Sequence, residues 1–341
     1  MTGRWIEFTG IFAVAAILCL FLTPSLGRLA VRYRLFDWPD SHKGHHQPTP
    51  HLGGLAIVVS FSLAIFFAAL TNPPVSGRDE LFFVMAAAVV LAALGLLDDL
   101  MSLPVWPRIA LELCAGLLLW HLDIGVRLSG IDSIDLVLTL LWVIGITNAF
   151  NLLDNMDGLS AGIGAICCGS IFVVAVSTGQ FLVAGMAVGL AGCSLGFLAE
   201  NFHPARIFMG DAGALYLGFL VAYLGIKLKV PGEGVDTFLV PVLICSVALF
   251  DTALVVVSRL VANRSPFRGG QDHLSHRLVR IGIPIPVAVG LTYLATAVTG
   301  VVALVVSRVD PLSSWILGSL AFATMAVAGG LLLRVPVYSD K

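Results

Sequence analysis

Residues 148–162 read Asn-Ala-Phe-Asn-Leu-Leu-Asp-Asn-Met-Asp-Gly-Leu-Ser-Ala-Gly and lie between two apolar runs, at about 135–152 and 159–178. Three amide and two carboxylate side chains therefore interrupt a stretch that is otherwise hydrophobic enough to enter a bilayer. An ionised carboxylate at the centre of a bilayer costs roughly 2.5–3.5 kcal/mol. We therefore expect this stretch to lie at a membrane–water boundary, between two membrane-spanning helices.

The whole chain has the composition of an integral membrane protein. Of its 341 residues, 58% are hydrophobic and 12% are charged, and the mean hydropathy is +0.97. A soluble domain carries about 25% charged residues. The six cysteines lie within apolar runs and form no Cys-x-x-Cys pair, which indicates buried small side chains rather than disulfides or a zinc site. We expect one integral-membrane domain over residues 1–341 and no nucleic-acid partner.

The apolar runs predict an all-α polytopic membrane protein with about eleven transmembrane helices, because each run is long enough to cross a core of ~30 Å. An odd number of spans places the two termini on opposite sides. With the N-terminus outside, 13 Lys and Arg residues fall on the inner side and 6 on the outer side, which favours a cytoplasmic C-terminus. The runs lie at about 5–26, 52–70, 81–97, 107–122, 135–152, 159–178, 180–199, 212–230, 236–261, 284–307 and 313–333.

The connections on the predicted inner side hold nearly all of the chemically interesting side chains, whereas the outer connections are short, turn-forming segments. This asymmetry predicts an active site on the cytoplasmic face. The inner connections are 37–54, 98–108, 154–158, 200–213 and 264–280.

Asp98 and Asp99 are adjacent carboxylates at the end of the third apolar run. Two charges ~5 Å apart at an effective dielectric constant of ~20 repel each other by about 3 kcal/mol. A bound cation or a raised pKa on one of them would relieve this repulsion, and so would simple solvation of a helix end. The pair suits acid–base chemistry or metal-phosphate binding, with a solvated helix terminus as the alternative.

The polar side chains of 148–162 are spaced so that several share one face. Asn148 and Asn151 are three residues apart on the helix end, and Asp154 and Asp157 continue that spacing into the loop. Such oxygens suit Mg²⁺, which takes one or two protein ligands and completes its shell with water and phosphate. The alternative is a capping cluster with Asp157 at the start of the next helix, although a cap needs only one such residue.

Two other inner segments carry candidate anion- or metal-binding groups. Asp211, in Gly-Asp-Ala-Gly, presents a carboxylate at a helix N-terminus, where it is either functional or an N-cap. His273 and His276 lie in the most basic inner loop with Arg277. They suit a diphosphate or a sugar, and contact with anionic lipid is also open, whereas zinc would lack a third ligand.

Lys43 and Asp251 are charged side chains with two readings each. Lys43, in the proline-rich loop 37–54, either neutralises a lipid phosphate or belongs to a generic basic segment beside the membrane. Asp251 lies within the ninth apolar run and is either functional or paired with a neighbour.

Taken in order, these motifs resemble the polyprenyl-phosphate N-acetylhexosamine-1-phosphate transferases of glycosyltransferase family 4, over roughly residues 30–280. The segment 250–278 looks like the branch that uses UDP-N-acetylglucosamine. In the branch that uses UDP-MurNAc-pentapeptide the histidines are typically consecutive, whereas two residues separate them here. The matching elements are Lys43 with 48–54, Asp98-Asp99, Asn148-Ala-Phe-Asn151 with Asp154 and Asp157, Phe208-Met-Gly-Asp211, and His273 to Arg277.

The resemblance implies a reaction in which undecaprenyl phosphate attacks the β-phosphate of a UDP-N-acetylhexosamine and releases UMP. It implies Mg²⁺, or Mn²⁺ in its place, an inner-membrane location, contact with the lipid bilayer and a homodimer. Another UDP-sugar donor and an ion-coupled transporter are the alternatives. The implied roles are metal contact by Asn151 and Asp211; catalysis by Asp98, Asp99, Asp154 and Asp157; and substrate binding by Lys43, Asn148, His273, His276 and Arg277.

One position departs from the family pattern. Relatives often show a basic residue followed four positions later by glutamine, and this chain has Arg108 and Glu112 there. An acidic side chain puts a phosphate-binding role for position 112 in doubt.

Overall fold

The structure is a computed structural model that describes residues 2–37, 49–71, 77–230, 235–266 and 269–338, so that Lys43 lies outside the described residues. Within these ranges the chain forms thirteen α-helices and one antiparallel pair of two-residue strands, β1 (Phe36–Asp37) and β2 (Thr49–Pro50). The helices are α1 Thr2–Arg32, α2 Gly53–Thr71, α3 Arg78–Met101, α4 Val105–His121, α5 Asp132–Leu153, α6 Leu159–Ser177, α7 Phe181–Asn201, α8 Gly210–Lys227, α9 Val235–Ile244, α10 Ser246–Val261, α11 Leu274–Arg280, α12 Ile285–Val306 and α13 Pro311–Leu332.

Eight of the described helices are long and apolar enough to cross a membrane, and the bent pair α9–α10 makes a ninth if it is one span. The eight are α1, α2, α3, α5, α6, α7, α12 and α13. Helices α4 and α8, with 17 and 18 residues, coincide with two further apolar runs but are not among them. The prediction of an all-α, multi-pass membrane protein is confirmed.

The ninth apolar run differs from its prediction, because 236–261 is two helices that meet at 69° rather than one continuous span. Pro241 lies inside α9 and has no N–H to donate to the preceding turn. At the break the Ile244 carbonyl accepts a hydrogen bond from the Cys167 thiol at 3.2 Å. Neighbouring α6 thereby satisfies a backbone group that the break leaves available, and α10 is free to follow its own direction.

Helix α8 is the centre of the bundle. Every residue from Ala212 to Gly225 is buried, which is the pattern of a helix surrounded by other helices. Glycines let its neighbours approach closely: a Cβ added at Gly95 of α3 would lie 2.5 Å from the carbonyl carbon of Asp211. This approach places the end of α3, with its two carboxylates, directly against the start of α8.

The ends of α3 and α5 meet the starts of α4 and α8 at one end of the bundle, and there the end of α7 meets the start of α6. The polar segments between these helices are the inner connections that the sequence singled out. The short helix α11 and the end of α10 join them there. The fold therefore brings most of the candidate site residues to one end.

Candidate active site

Arg108, at the start of α4, is the common partner of three candidate site residues. Its Nη1 lies 3.3 Å from Asn151 Oδ1, 3.3 Å from Asp211 Oδ2 and 3.7 Å from Asp98 Oδ2. Asn151 also donates from Nδ2 to Asp211 Oδ1 at 2.7 Å. Side chains from α3, α4, α5 and α8 thus converge on one small volume, which we call the acid cluster: Asp98, Arg108, Asn151 and Asp211.

The adjacent carboxylates at the end of α3 face different partners. Asp99 accepts hydrogen bonds from the backbone N–H groups of Asp211 at 2.9 Å and Ala212 at 3.3 Å, where the positive end of the α8 dipole favours an anion. Asp98 Oδ1 accepts from the Leu103 N–H at 2.6 Å, while its Oδ2 faces Arg108. Gly210 has φ +70° and a Cβ there would lie 2.6 Å from Asp99, so this junction requires glycine.

Asp154 and Asp157 bind the segment that leads into α8. Asp154 Oδ2 accepts from the Gly210 N–H at 3.2 Å. Asp157 Oδ2 lies 2.8 Å from His203 Nδ1 and accepts from the Ala205 N–H at 3.0 Å. The capping alternative for Asp157 is wrong, because the N-cap of α6 is Gly158 and no side chain caps it.

The glycines of the 148–162 stretch form a tight turn and a close packing contact. Gly158 has φ +76°, which only glycine adopts at little cost. Its carbonyl accepts from the Tyr293 hydroxyl at 2.5 Å, and a Cβ at Gly162 would overlap the Tyr293 ring. Tyr293 carried no signal in the sequence, because it lies within the apolar run that forms α12.

Glu112 and Asn148 form a second polar contact between α4 and α5, one helical turn deeper than Arg108 and Asn151. Asn148 Nδ2 donates to Glu112 Oε2 at 2.5 Å and to the Ile144 carbonyl at 2.9 Å. Glu112 has no exposed surface, and among the described residues its Oε1 has no hydrogen-bond partner. The position that departs from the family pattern is therefore in direct contact with a candidate substrate-binding residue.

The loop that carries His273 meets the 148–162 stretch directly. Ser275 donates from its hydroxyl to Asn155 Oδ1 at 2.9 Å. Asp251, on α10, lies with Oδ2 2.8 Å from His273 Nδ1 and accepts the Leu274 N–H at 2.6 Å. Of the two readings that the sequence left for Asp251, the structure shows the pairing with a neighbour.

His276 and Arg277 are placed differently. The His276 ring lies beside His273, with 5.7 Å between ring centroids, and its Nδ1 has no hydrogen-bond partner within the described ranges. Burial, assisted by the neighbouring His273, lowers the pKa of His276 to about 4. Arg277 is fully buried, and its three nitrogens donate to Asp272, Ser258 and the end of α13. Its contacts are with the protein framework, and its substrate-binding role stays a prediction.

A buried ion pair that the sequence did not reveal holds this loop against α10. Arg259 donates to both carboxylate oxygens of Asp272 at 2.8 Å, and the Tyr338 hydroxyl donates to Asp272 Oδ2 at 2.6 Å. Burial alone would raise the pKa of Asp272, but these hydrogen bonds outweigh burial and hold it below its ordinary value. The one available signal was Arg259, the single cation within the ninth apolar run.

The donor set of the acid cluster fits Mg²⁺. Among the described residues no three His, Cys, Asp or Glu side chains form a complete metal site. Mg²⁺ does not need one, since it takes one or two carboxylates and fills its shell with water and phosphate. Asn151 and Asp211 each direct an oxygen at the same cationic nitrogen of Arg108, so these oxygens already converge on one positive charge. Such hard oxygen ligands suit Mg²⁺ or Mn²⁺ rather than zinc.

Comparison with known proteins points in one direction. The family model for glycosyl transferase family 4 matches residues 81–229, which include the acid cluster. A protein of Mycobacterium leprae described as a decaprenyl-phosphate N-acetylglucosaminephosphotransferase is 34% identical over 304 residues, covering 79% of this chain and 76% of the relative.

Two further relatives extend the comparison. A Bacillus subtilis protein described as a probable undecaprenyl-phosphate N-acetylglucosaminyl 1-phosphate transferase is 29% identical over 314 residues, covering 89% of this chain and 86% of the relative. A phospho-N-acetylmuramoyl-pentapeptide-transferase of Bacillus velezensis is 31% identical over 239 residues, covering 64% of this chain and 73% of the relative.

Proposed function

This chain belongs to glycosyl transferase family 4, and on that premise we propose that it transfers N-acetylglucosamine 1-phosphate from a UDP-sugar to undecaprenyl phosphate and releases UMP. The product, a lipid diphosphate-sugar, stays in the bilayer and begins the synthesis of a cell-envelope glycan. The Mycobacterium leprae and Bacillus subtilis relatives are both described as N-acetylglucosamine phosphotransferases, which favours this donor.

The observation that carries the proposal is the convergence of four helices on Asp98, Arg108, Asn151 and Asp211 at one end of a membrane-embedded bundle. Phosphoryl transfer mainly requires positioning and neutralisation of phosphate charge. An arginine and metal-binding oxygens at the membrane boundary meet both requirements. They also lie where a lipid phosphate and a water-soluble nucleotide can meet.

The two carboxylates of α3 take different parts in the proposed reaction. Both oxygens of Asp99 accept hydrogen bonds from α8, so its part is to fix the start of that helix and thereby Asp211. Asp98 directs Oδ2 at Arg108 and is the carboxylate that faces the lipid phosphate. A phosphate monoester is already anionic near neutral pH, so Asp98 either removes the last proton or positions the attacking oxygen.

The remaining residues hold the donor. Asn151 and Asp211 would hold Mg²⁺, which polarises the diphosphate and stabilises the UMP leaving group when it is bound. Asp154 and Asp157 fix the segment that begins α8, and the His273–Arg277 loop forms the opposite wall, where His276 faces the sugar diphosphate. Lys43, outside the described residues, and Asn148 complete the proposed substrate contacts.

The proposed topology follows from the sequence. Eleven crossings, an outer N-terminus and an inner C-terminus put the acid cluster on the cytoplasmic face of the inner membrane, where UDP-sugars are made. The polyprenyl chain then lies in the bilayer beside the bundle. Association as a homodimer stays a prediction, which the mass of the purified protein in detergent tests.

The test is an assay of the purified protein with undecaprenyl phosphate, Mg²⁺ and a panel of UDP-sugars, with UMP release as the readout. We expect release with UDP-N-acetylglucosamine and little with the other donors. Release only with UDP-MurNAc-pentapeptide would favour the second donor, which the Bacillus velezensis relative makes the main rival. Uptake of a solute into proteoliposomes without UMP release would overturn the transferase proposal in favour of a transporter.

A further inference from the structure

We infer that Arg108 is a resident cation of the acid cluster: it neutralises the metal-binding oxygens when no metal is bound and turns to Glu112 when a divalent ion binds. This inference rests on the proposed function, because that function supplies the metal. It concerns side chains of this chain alone and adds a role for two residues, one of which departs from the family pattern.

The first step is that Arg108 occupies the point where the metal would bind. Its Nη1 lies 3.3 Å from both Asn151 Oδ1 and Asp211 Oδ2, the two oxygens that best fit Mg²⁺. Mg²⁺ binds oxygen ligands at 2.0–2.1 Å in an octahedral shell, as a general rule. A dipositive ion bound to these two oxygens would lie against the guanidinium, and like charges in a half-buried site repel strongly. Metal binding therefore requires Arg108 to move.

The second step is that the structure offers Arg108 another acceptor. Glu112 lies four residues further along α4, so the two side chains share one face of the helix. Glu112 Oε1 is buried and has no hydrogen-bond partner in the part of the chain that the structure describes, and the same holds for Arg108 Nε. An unpaired donor and an unpaired acceptor lie one turn apart, and a change of side-chain rotamer would join them.

The third step is that a buried carboxylate needs a reason to be there. Glu112 has no exposed surface, and within the described ranges it takes part in no ion pair and accepts a hydrogen bond only from Asn148. Buried charges are normally paired, because an unpaired one costs more than folding tolerates. Pairing with Arg108 in the metal-bound state gives Glu112 its counter-ion, and the divalent ion then offsets the charges of Asp98 and Asp211 that Arg108 has left.

The inference predicts opposite effects on metal affinity for the two residues. Arg108→Gln removes the competing cation and should tighten Mn²⁺ binding by about tenfold, whereas Glu112→Gln removes the acceptor of the displaced arginine and should weaken it by about tenfold, as is usual for residues just behind a metal ligand. In the double variant Glu112→Gln should have almost no effect, because no arginine remains to be received. Arg108→Lys keeps the competing charge and should stay near the wild type.

The experiment measures free Mn²⁺ by electron paramagnetic resonance during titration of the purified full-length protein in detergent, without sugar donor or lipid acceptor. Circular dichroism checks that each variant is folded. If Arg108→Gln does not fold, the titration is run on Arg108→Lys and Glu112→Gln instead. Arg108→Lys must then bind Mn²⁺ about as tightly as the wild type, and Glu112→Gln must bind it more weakly.

Three results would overturn the inference: weaker Mn²⁺ binding in folded Arg108→Gln, an equal effect of Glu112→Gln with and without the arginine, or no Mn²⁺ binding by the wild type. Weaker binding would mean that Arg108 holds the oxygens in place instead of competing with the metal. UMP release by the wild type is assayed in parallel. Mn²⁺ binding with the predicted signs but no UMP release from any donor would overturn the proposed function and leave this inference standing.

Discussion

At the end of the bundle opposite the acid cluster, two cations make short ion pairs. Lys227 donates to Glu80 at 2.7 Å, and Arg127 lies 2.8 Å from both Asp123 and Asp132. Each of these contacts is shorter than any contact that Arg108 makes in the acid cluster. They join neighbouring segments of the chain to each other.

At the acid cluster one cation serves several oxygens at longer range. Arg108 lies 3.3–3.7 Å from three side chains on three helices. Two of them are carboxylates and one is an amide, and their oxygens suit a metal. Unpaired buried atoms, Arg108 Nε and Glu112 Oε1, occur here as well. The comparison teaches that the ion pairs of the far end are short, whereas Arg108 divides longer contacts among several side chains and lies beside buried atoms that have no partner among the described residues.

Removal of one carboxylate at each end tests this difference most strongly. Asp211→Asn keeps the shape of the side chain but removes the charge that is proposed to hold Mg²⁺, so we expect UMP release to fall on the order of 10³-fold, equivalent to several kcal/mol of transition-state stabilisation. Glu80→Gln removes a carboxylate from the opposite end, and we expect activity within about twofold of the wild type.

Rates are compared per folded protein, with folding checked by gel filtration in detergent. An Asp211→Asn enzyme with full activity would contradict both the metal site and the contrast between the ends. A large loss in Glu80→Gln with normal folding would contradict the contrast alone.

Two buried carboxylates that hold helix ends give a closer match. Asp251 is 1% exposed and binds His273 and the start of α11, whereas Asp135 is 2% exposed and accepts from the Ser129 N–H at the opposite end. We expect Asp251→Asn to lower kcat by about 10–100-fold with a smaller change in KM, because His273 loses the partner that fixes its ring. Asp135→Asn should lower the unfolding temperature and leave kcat unchanged.

Measuring both kcat and the unfolding temperature of the two variants shows which carboxylate serves the reaction and which serves the fold. If Asp251→Asn only lowered the unfolding temperature, as Asp135→Asn should, then Asp251 would serve the fold and not the proposed reaction. Restoration of activity by Asp251→Glu, which keeps a carboxylate, would support the orienting role.

The sequence could predict which end of the bundle carries the candidate site, because the lengths of the apolar runs fix where each polar segment leaves the membrane. Asn151 and Asp211 are 60 residues apart, yet both were assigned to one site from the order of the helices and from the family pattern. Their roles, like those of Asp98, Asp99, Asp154 and Asp157, stay predictions that the mutations above test.

The partners of these residues could not be predicted, since a contact across 43 or 103 residues leaves no local pattern. Arg108 was visible only as a basic residue before Glu112, and its shared contacts depend on how α4 packs. The break between α9 and α10 was missed because hydropathy is continuous across it, although Pro241 marked the place.

Lowering the pH should reduce the stability of the fold through His276, which lies in the loop proposed as one wall of the site. Its pKa in the fold is about 4, against 6.5 as the ordinary value, and Arg280, Asp251, Asp272 and His273 are the charged or titratable groups around it. The unfolded chain therefore binds the proton first as the pH falls, so stability is full above pH 6.5 and decreases towards pH 4, on the order of 3 kcal/mol in total. Thermal unfolding of wild type and His276→Gln across this range should give a flatter curve for the variant. Parallel curves would contradict the prediction.

The smallest effect is expected for Arg127, whose ion pairs lie exposed at the end of the bundle opposite the acid cluster. Arg127 is half-exposed and its partners Asp123 and Asp132 are largely exposed, so water screens their attraction and the pair contributes about 0–1 kcal/mol. Arg127→Gln should therefore leave UMP release unchanged and shift the unfolding temperature only slightly, and raising the salt concentration should remove even that shift. A loss of activity in this variant would mean that the far end is coupled to the acid cluster, which short, separately paired contacts should prevent. Arg108→Gln exchanges the same side chains at the acid cluster. The ratio of UMP release in the two variants therefore measures how differently the two ends contribute to activity.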